Sequence, residues 1–454
     1  MSVLDGDVLR VHWLLRRKPG PVKFYRVPGS EVHVEAVRGT LRSKSIGVYV
    51  HVPYCKSICM FCPYFRVVPR SGSELRSYLD ALLREVELYG RALAGLDLDV
   101  VEIHVGGGTP SLVPPGFYKS LLDKFSEFFD VKAGVGIEVN PEDFGDYNAV
   151  EEYYASGVDE VSIGVQSFSE RVLKSIGRKH RPRDNVLAVE NSLKAGFKWV
   201  NVDLMFLAPS IKGYVEMPLE EKLGAFRKDL EEAGGLGVHQ VTYYPTIVPR
   251  GSPGYKLVEL GKLSQEVDSI DKFVEAALDF ASEHKLYLTR VYSLSKKPYE
   301  YATVNLEMVG PLIGLGAGAW SNTGFYQYIN VHDTEVYVKH VKEGNYPAVY
   351  GRRLSEKSIA WRLFFDQLST GVLDYGAFKS IGVKPPLGVR TALRLMELAG
   401  LVERAGSGYR LTKRGVVEVY KSVVNYVAAV PVKATFTLTR LKDLNALPGE
   451  VVIA

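Results

Sequence analysis

Three cysteines, Cys55, Cys59 and Cys62, fall within HVPYCKSICMFCPYF (51–65), and the 454-residue chain has no others. Their spacing is Cys-x3-Cys-x2-Cys, directly after a β-rich run, IGVYVHV, that begins at Ile46. Thiolates this close in sequence suit a metal ion or an iron–sulfur cluster. A structural zinc site takes four ligands, and here the fourth would be His51 or a distant residue. A [4Fe–4S] cluster is usually held by four cysteines, so a set of three leaves one iron with an open position. A bidentate small molecule can take that position. S-adenosylmethionine, through its amino and carboxylate groups, is the known example; electron transfer then cleaves the sulfonium and generates a carbon radical. Buried cysteines without metal, or a zinc loop, are the alternatives the motif alone leaves open. An odd cysteine count argues against a secreted disulfide framework.

Further polar residues recur where β-rich runs end. EIHVGGGTPS places Gly106, Gly107 and Gly108 after the second run, where bare backbone can approach a ligand. The third run ends at Glu138 of IEVNPE, the fourth at Gln166 of SIGVQSF, and the fifth carries Asp203 of NVDLMF. Each alone reads as easily as a satisfied turn residue. Their succession at the same end of successive strands is what a barrel of parallel strands uses for function. Arg178, in IGRKH, offers a planar guanidinium fork suited to a carboxylate.

The elements that must position these residues follow a βα rhythm. SELRSYLDALLREVELYGRAL has helical spacing, with Leu75, Leu79, Leu82, Leu83 and Val86 on one face. Strand-like DVVEIHV, VGIEV, EVSIGV, WVNVDLMFL and HQVTYY follow, with helical stretches such as GFYKSLLDKFSEFF between them. Repeats of this kind predict βαβ units on a parallel sheet. Six strands fall between Ile46 and Tyr244, short of a closed eightfold barrel. The expected fold is therefore α/β, an open or partial (β/α)6 barrel. A helix over Glu266–His284, a strand over Leu286–Val291 and the Gly-rich Gly310–Trp320 come next. From about Leu354 the pattern is helices and then a hairpin around Gly406–Gly408, which predicts a helical, winged-helix-like domain. The expected divisions are an N-terminal extension over 1–44, the barrel over 45–250, a barrel-associated segment over 251–350, the C-terminal domain over 351–430, and a tail over 431–454 with no assigned structure.

Composition is that of a globular protein, 46% hydrophobic and 24% charged, with a net charge of only +4. Nothing in that total points to nucleic acid or a membrane surface. The C-terminal domain is locally basic, with 13 Lys/Arg against 6 Asp/Glu over 352–421, and nucleic-acid contact through it is the weakest alternative. Asp5 and the lack of a long apolar run make the N-terminus unlike a signal peptide, and no stretch approaches the ~18–20 apolar residues of a membrane helix. The expected location is the cytoplasm.

The ordered set YVHVPYCKSICMFCPYF, GGGTPSL, EVNPE, SIGVQSF, GRKH, NVDLM and GLGAGAWSN resembles the radical SAM family of oxygen-independent coproporphyrinogen III oxidases and their relatives, over roughly residues 45–426. The resemblance implies a radical SAM barrel with Cys55, Cys59 and Cys62 on a [4Fe–4S] cluster. It implies that Tyr49, Phe61, Gly107, Gly108 and Thr109 contact S-adenosylmethionine, one molecule or two, and that Glu138, Gln166, Arg178 and Asp203 hold its amino-acid and ribose groups. Ala319 and Trp320 would line the same pocket. It also implies a low-potential electron donor and an organic substrate, with a tetrapyrrole as one candidate. No catalytic residue is assigned beyond these. Departures are specific. Tyr64 stands where the oxidases carry a fourth cysteine, and Ser167 where they read Asp. Glu160 replaces an expected Arg and Trp320 an expected His. LAPS replaces a Gly-Leu-Pro, and YATVNLEMVGPL lacks the His-Asn-x-x-Tyr-Trp of the haem-chaperone branch. The resemblance thus implies an oxidase-like radical SAM enzyme. A two-S-adenosylmethionine methyltransferase and a haem-binding chaperone without turnover are the alternatives within it.

Overall fold

A computed structural model describes residues 22–299, 301, 310–441 and 443–453. Residues 1–21, and most of the YATVNLEMVGPL stretch, lie outside the described residues. The first described elements are β1 (Val22–Arg26) and α1 (Ser30–Thr40). The βα repeat then runs β2 (Ser45–Val52), α2 (Gly72–Ala92), β3 (Asp99–Gly107), α3 (Pro115–Ser126), β4 (Val135–Val139), α4 (Tyr147–Ala155), β5 (Val158–Gln166), α5 (Pro182–Ala195), β6 (Trp199–Phe206), α6 (Leu219–Leu236) and β7 (Gln240–Pro245). These six strands lie side by side in sequence order, each parallel to the next. The sheet is open, so the unit is a partial barrel.

Local chemistry explains the elements. α2 opens with the Ser71 hydroxyl accepting the Glu74 N–H at 3.3 Å, an N-cap with an acidic residue in the first turn. Its buried positions, among them Tyr78, Leu82, Val86 and Tyr89, recur at helical spacing. In the strands, side chains alternate between two faces. One face carries fully buried β-branched residues such as Val48, Val105, Ile137, Ile163 and Val202 against the helices, each worth roughly 1.5–3 kcal/mol of apolar burial. The other face, toward the hollow of the half-barrel, is polar.

The remaining elements extend this sheet. After α7 (Ile270–Glu283), the hairpin of β8 (Tyr287–Arg290) and β9 (Ser293–Ser295) adds antiparallel to β7. β10 (Leu312–Leu315) lies inside the Gly-rich segment and pairs parallel with β2, making a seventh parallel strand beyond the six expected. β11 (Trp320–Asn322), β12 (Tyr326–Asn330), α8 (Thr334–Lys342) and β13 (Ala348–Arg353) follow, and the three strands carry the sheet on by antiparallel pairing. β1 then pairs with β13.

The C-terminal unit comprises α9 (Glu356–Ser369), β14 (Val372–Leu373), α10 (Leu387–Leu398), the hairpin of β15 (Val402–Ala405) and β16 (Gly408–Leu411), and α11 (Lys413–Leu438). β14 adds to the hairpin as a third strand, giving a winged-helix-like arrangement. From α11, the Tyr420 hydroxyl donates to the Tyr243 carbonyl at 2.8 Å, and their rings stack 5.7 Å apart. β17 (Glu450–Ile453), from the stretch left unassigned in the sequence, pairs with β1 and closes that edge. No helix among the described residues is long and apolar enough to cross a membrane.

Candidate functional site

The cysteine loop leaves the C-terminal end of β2. Its base is closed by two backbone bonds, Cys55 N–H to the Val67 carbonyl at 2.9 Å and Val67 N–H to the Pro53 carbonyl at 2.7 Å. Cys55 is buried, and Cys59 and Cys62 are half-buried. Burial pushes the Cys55 thiol up and the Cys62 thiol up to about 11. Without a cation both would stay protonated at neutral pH, and a bound metal supplies the charge that makes them thiolates. A single tetrahedral zinc takes four ligands, and the chain has no fourth cysteine. His51 is not the missing zinc ligand either. Its Nδ1 meets the Tyr49 hydroxyl at 2.8 Å and its Nε2 the Phe65 carbonyl at 3.0 Å. Three thiols on one loop, with His51 bonded elsewhere, leave a tetrahedral zinc one ligand short.

The glycine turn after β3 docks on this loop. Gly108 N–H donates to the Val52 carbonyl and Thr109 N–H to the Tyr54 carbonyl, both at 2.7 Å. The buried Thr109 side chain lies against the Cys55 thiol and opposes the effect of burial on it. Gly107 has a φ of 109°, which favours glycine, and a side chain there would strike the His51 ring. Its N–H donates to Glu138 Oε2 at 3.2 Å. His104 Nε2 lies 3.3 Å from Glu138 Oε1, and its ring stacks on Tyr49 at 5.7 Å. Burial pushes the Glu138 carboxyl up, yet His104, the Gly107 N–H and His51 together hold it below its ordinary value.

Arg178 ties the loop to the strand ends. Its Nη1 donates to Cys59 Sγ at 3.4 Å, and its Nη2 donates to Asn140 Oδ1 and the Gly164 carbonyl, both at 3.0 Å. Asn140 in turn donates to Thr109 Oγ1 at 3.4 Å. Gln166 has a left-handed φ of 63°, at the irregularity where β5 and β6 lose register. Such strain in a non-glycine residue costs about 1–3 kcal/mol and collects at functional sites. A methyl group on Gly164 would meet the Gln166 amide nitrogen at 2.9 Å and Arg178 Nη2 at 3.2 Å, so the amide lies beside the guanidinium. Asp203 accepts from Ser162 Oγ at 3.1 Å and Asn201 Nδ2 at 3.0 Å. Burial and the Glu138 carboxylate push its carboxyl up to about 7, against the pull of Ser162 and Asn201.

Tyr49, Gly107, Gly108, Thr109, Glu138, Gln166, Arg178 and Asp203 thus gather around Cys55 and Cys59 at one end of the sheet. Phe61 stands on the wall, packed against the apolar cluster of Val172, Leu173, Ile176 and Met205. Trp320 turns its ring edge-on to Phe24 of β1, 5.6 Å away. Three residues that the sequence did not single out for the pocket, His104, Asn140 and Ser162, hold the others in place. The signal for Asn140 was present, since it lies between Glu138 and the Pro141 turn.

Residues 49–211 match the Radical SAM superfamily, and this is the class that the half-barrel and its cysteine loop define. Membership implies an iron–sulfur cluster and S-adenosylmethionine. The relatives it is similar to include oxygen-independent coproporphyrinogen III oxidases and heme chaperones. It is 29% identical over 214 residues to the oxygen-independent coproporphyrinogen III oxidase of Pseudomonas aeruginosa, covering 45% of this chain and 46% of that protein. It is 25% identical over 307 residues to the heme chaperone HemW of Bacillus subtilis, covering 66% and 76%. The alignment with the Pseudomonas oxidase therefore spans less than half of that relative's length. The fold is that of coproporphyrinogen III oxidase (HemN) from Escherichia coli, with a TM-score of 0.71, 21% identity, and 89% and 94% of the two chains covered.

Proposed function

We propose that this protein is a radical SAM enzyme in which Cys55, Cys59 and Cys62 hold a [4Fe–4S] cluster and S-adenosylmethionine lies across the strand ends. The observation that carries this reading is the Arg178 bridge, which joins the cysteine loop to Asn140 and the Gly164 carbonyl at the ends of β4 and β5. When bound and reduced, the cluster supplies the electron that splits S-adenosylmethionine into methionine and a 5′-deoxyadenosyl radical, which takes hydrogen from an organic substrate. The chain's part is to bind, orient and shield. Glu138, kept ionised by His104 and the Gly107 N–H, receives the ammonium of the amino-acid moiety. Gln166 and Asp203 offer hydrogen bonds to its amino-acid and ribose groups, and the bare Gly107–Gly108 backbone admits close approach. Arg178 supplies the cation beside the carboxylate. The low-potential electron comes from a cytoplasmic donor.

The relatives' names point to a tetrapyrrole as substrate. Tyr64, Glu160, Ser167 and Trp320 depart from the oxidase pattern, so we infer a substrate other than coproporphyrinogen III, a different tetrapyrrole or another hydrophobic acceptor. The HemW relatives favour a second reading, haem binding without turnover. Many basic side chains of the winged-helix-like unit are committed to ion pairs, such as Arg394 and Arg404 on Glu397 and Lys413 on Asp279, so nucleic-acid binding is not adopted.

One experiment separates these readings. The anaerobically reconstituted protein is incubated with dithionite and S-adenosylmethionine, and products are read by mass spectrometry. The proposal expects 5′-deoxyadenosine. S-adenosylhomocysteine appearing beside it assigns methyl transfer. Loss of CO2 from coproporphyrinogen III restores the oxidase reaction. A cluster-replete, reduced protein that yields neither nucleoside product across a panel of acceptors defeats the enzymatic reading and leaves the chaperone.

A further inference from the structure

The turn that carries Gln166 is strained, and it is held from outside its strand. The Ser167 N–H donates to the Val165 carbonyl at 2.8 Å, which closes a three-residue turn around Gln166, whose φ is 63°. Tight turns of this hand are rare and strained in residues other than glycine. A glycine would take this φ freely, so a glutamine here is present for its side chain. Its amide lies beside the Arg178 guanidinium at the strand ends.

Buried side chains fix both flanks of this turn. Before Gln166, the Val165 carbonyl also accepts from His180 Nε2 and Asn185 Nδ2, each at 3.2 Å. After it, Asn185 Nδ2 donates to the Ser167 carbonyl at 2.9 Å. Asp229 of α6 takes the Ser167 hydroxyl on Oδ2 at 2.6 Å and the Phe168 N–H on Oδ1 at 2.7 Å. Ser167 Oγ in turn accepts the Ser169 N–H at 3.0 Å. Ser167, Asn185 and Asp229 are all buried. Asp229 stands among Phe226, Leu230 and Ala233 on the buried face of α6, where a carboxyl without bonds would be costly. Both of its oxygens are committed to Ser167 and Phe168, the two residues that follow Gln166.

We propose that Asp229, together with Asn185, is a positioning residue for S-adenosylmethionine: it holds Gln166 in its left-handed turn and so fixes the Gln166 amide at the ligand, without touching the ligand itself. The inference rests on the radical SAM reading, because it names residues that act through that site. β5 ends at Gln166, and its pairing with β6 shifts register just before that residue. Ladder bonds alone therefore do not set the direction of the amide. The two bonds to Asp229 and the two from Asn185 do. With those bonds lost, the backbone at 166 would relax toward a negative φ, which is the favoured side for any residue with a Cβ. That change swings the side chain away from Arg178 and from the ligand.

S-adenosylmethionine is titrated calorimetrically into the anaerobically reconstituted protein, and iron content and the reduced-cluster EPR signal are read on the same samples. Asp229→Ala should weaken binding about tenfold, because a misplaced group loses much of what a deleted one loses. Both cluster readouts should keep their wild-type values. Asp229→Asn should return affinity to within about threefold of wild type, since its amide can accept the Phe168 N–H and donate to Ser167 Oγ. On a Gln166→Ala background, Asp229→Ala should change affinity by less than about twofold, because two residues that act through one side chain do not add. Ser167→Ala removes only the hydroxyl bond and should show the same pattern at about threefold, so an Asp229→Ala chain that fails to fold leaves the test intact. Losses that add fully on the Gln166→Ala background overturn the proposal and leave Asp229 a role in stability alone. So does wild-type affinity in Asp229→Ala, or an Asp229→Asn protein no better than the alanine variant. A wild-type protein that binds no S-adenosylmethionine defeats the radical reading itself, whereas wild-type binding with additive losses defeats this inference alone.

Discussion

An alanine at Gly108 would place its methyl carbon 2.5 Å from the Tyr54 carbonyl oxygen and 2.7 Å from both the Val52 oxygen and the Pro53 carbonyl carbon. All three are backbone atoms at the junction of β2 and the cysteine loop, so no side-chain rotation relieves the contact. Either the glycine turn or the loop must withdraw. Withdrawal breaks the Gly108-to-Val52 and Thr109-to-Tyr54 bonds, both 2.7 Å. Overpacking costs about 1–3 kcal/mol and each lost bond about 0.5–1.5 kcal/mol. The expected loss is therefore about 2–6 kcal/mol, a thirtyfold or greater fall in the folded-to-unfolded ratio.

The apo-protein's urea transition reads this loss, and iron content after anaerobic reconstitution reads the displaced Cys55. Gly116→Ala is the control. Nothing lies within 4 Å of its added methyl, it sits in the first turn of α3, and it should be neutral or slightly stabilising. A Gly108→Ala protein with the wild-type urea midpoint and full iron would refute the claim that the glycine turn is the seat of the loop.

Other changes act on separate parts of the site. Cys59→Ala should abolish the reduced-cluster EPR signal, while the wild type takes up about four irons per chain; one equivalent of zinc and no cluster would sink the assignment. Asp203→Ala and Gln166→Ala should weaken S-adenosylmethionine about ten- to a hundredfold by calorimetry, since a hydrogen bond to a charged group is worth ~1.5–3 kcal/mol, and both should keep the cluster. Glu85 is fully buried, and burial pushes its carboxyl up from 4.5 to about 7 despite bonds from Tyr337, the Gly316 N–H and Asn330. The folded state then holds more protons than the unfolded across that interval, so Glu85 makes stability fall as pH rises from 4.5 to 7 and adds no slope above it; Glu85→Gln should flatten the apo-protein's urea midpoint across that window, and an unchanged slope would refute the assignment.

The barrel strands were legible because each is a short β-branched run bounded by helical spacing. Their polar ends were legible because parallel βα units bring all C-terminal ends to one side. β10 was not. LIGL sits among glycines, in a stretch marked in the sequence only as Gly-rich, yet the glycines are there for close packing. A side chain at Gly314 would strike the Trp320 carbonyl, and Gly316 has a φ of 95° against the His51 carbonyl. β1 and β17 pair across the length of the chain, and no local pattern encodes a partner that distant. His104 looked like an ordinary strand residue beside the glycines. Only the register that sets it opposite Tyr49 and within reach of Glu138 shows its role.

That register also explains why two carboxyls in one pocket behave differently. Like charges held close together cannot both ionise cheaply. Glu138 has a histidine edge and a backbone N–H aimed at it, and it stays below its ordinary value. Asp203 has a hydroxyl and an amide, neither carrying a charge, and it is pushed up to about 7. One carboxylate is therefore fixed as an anion while its neighbour is poised to change charge near neutrality. A ligand cation placed between them would lower the cost of ionising Asp203. The site can thus present one negative charge when empty and two when a cation is seated, with the second charge appearing only where the ligand compensates it.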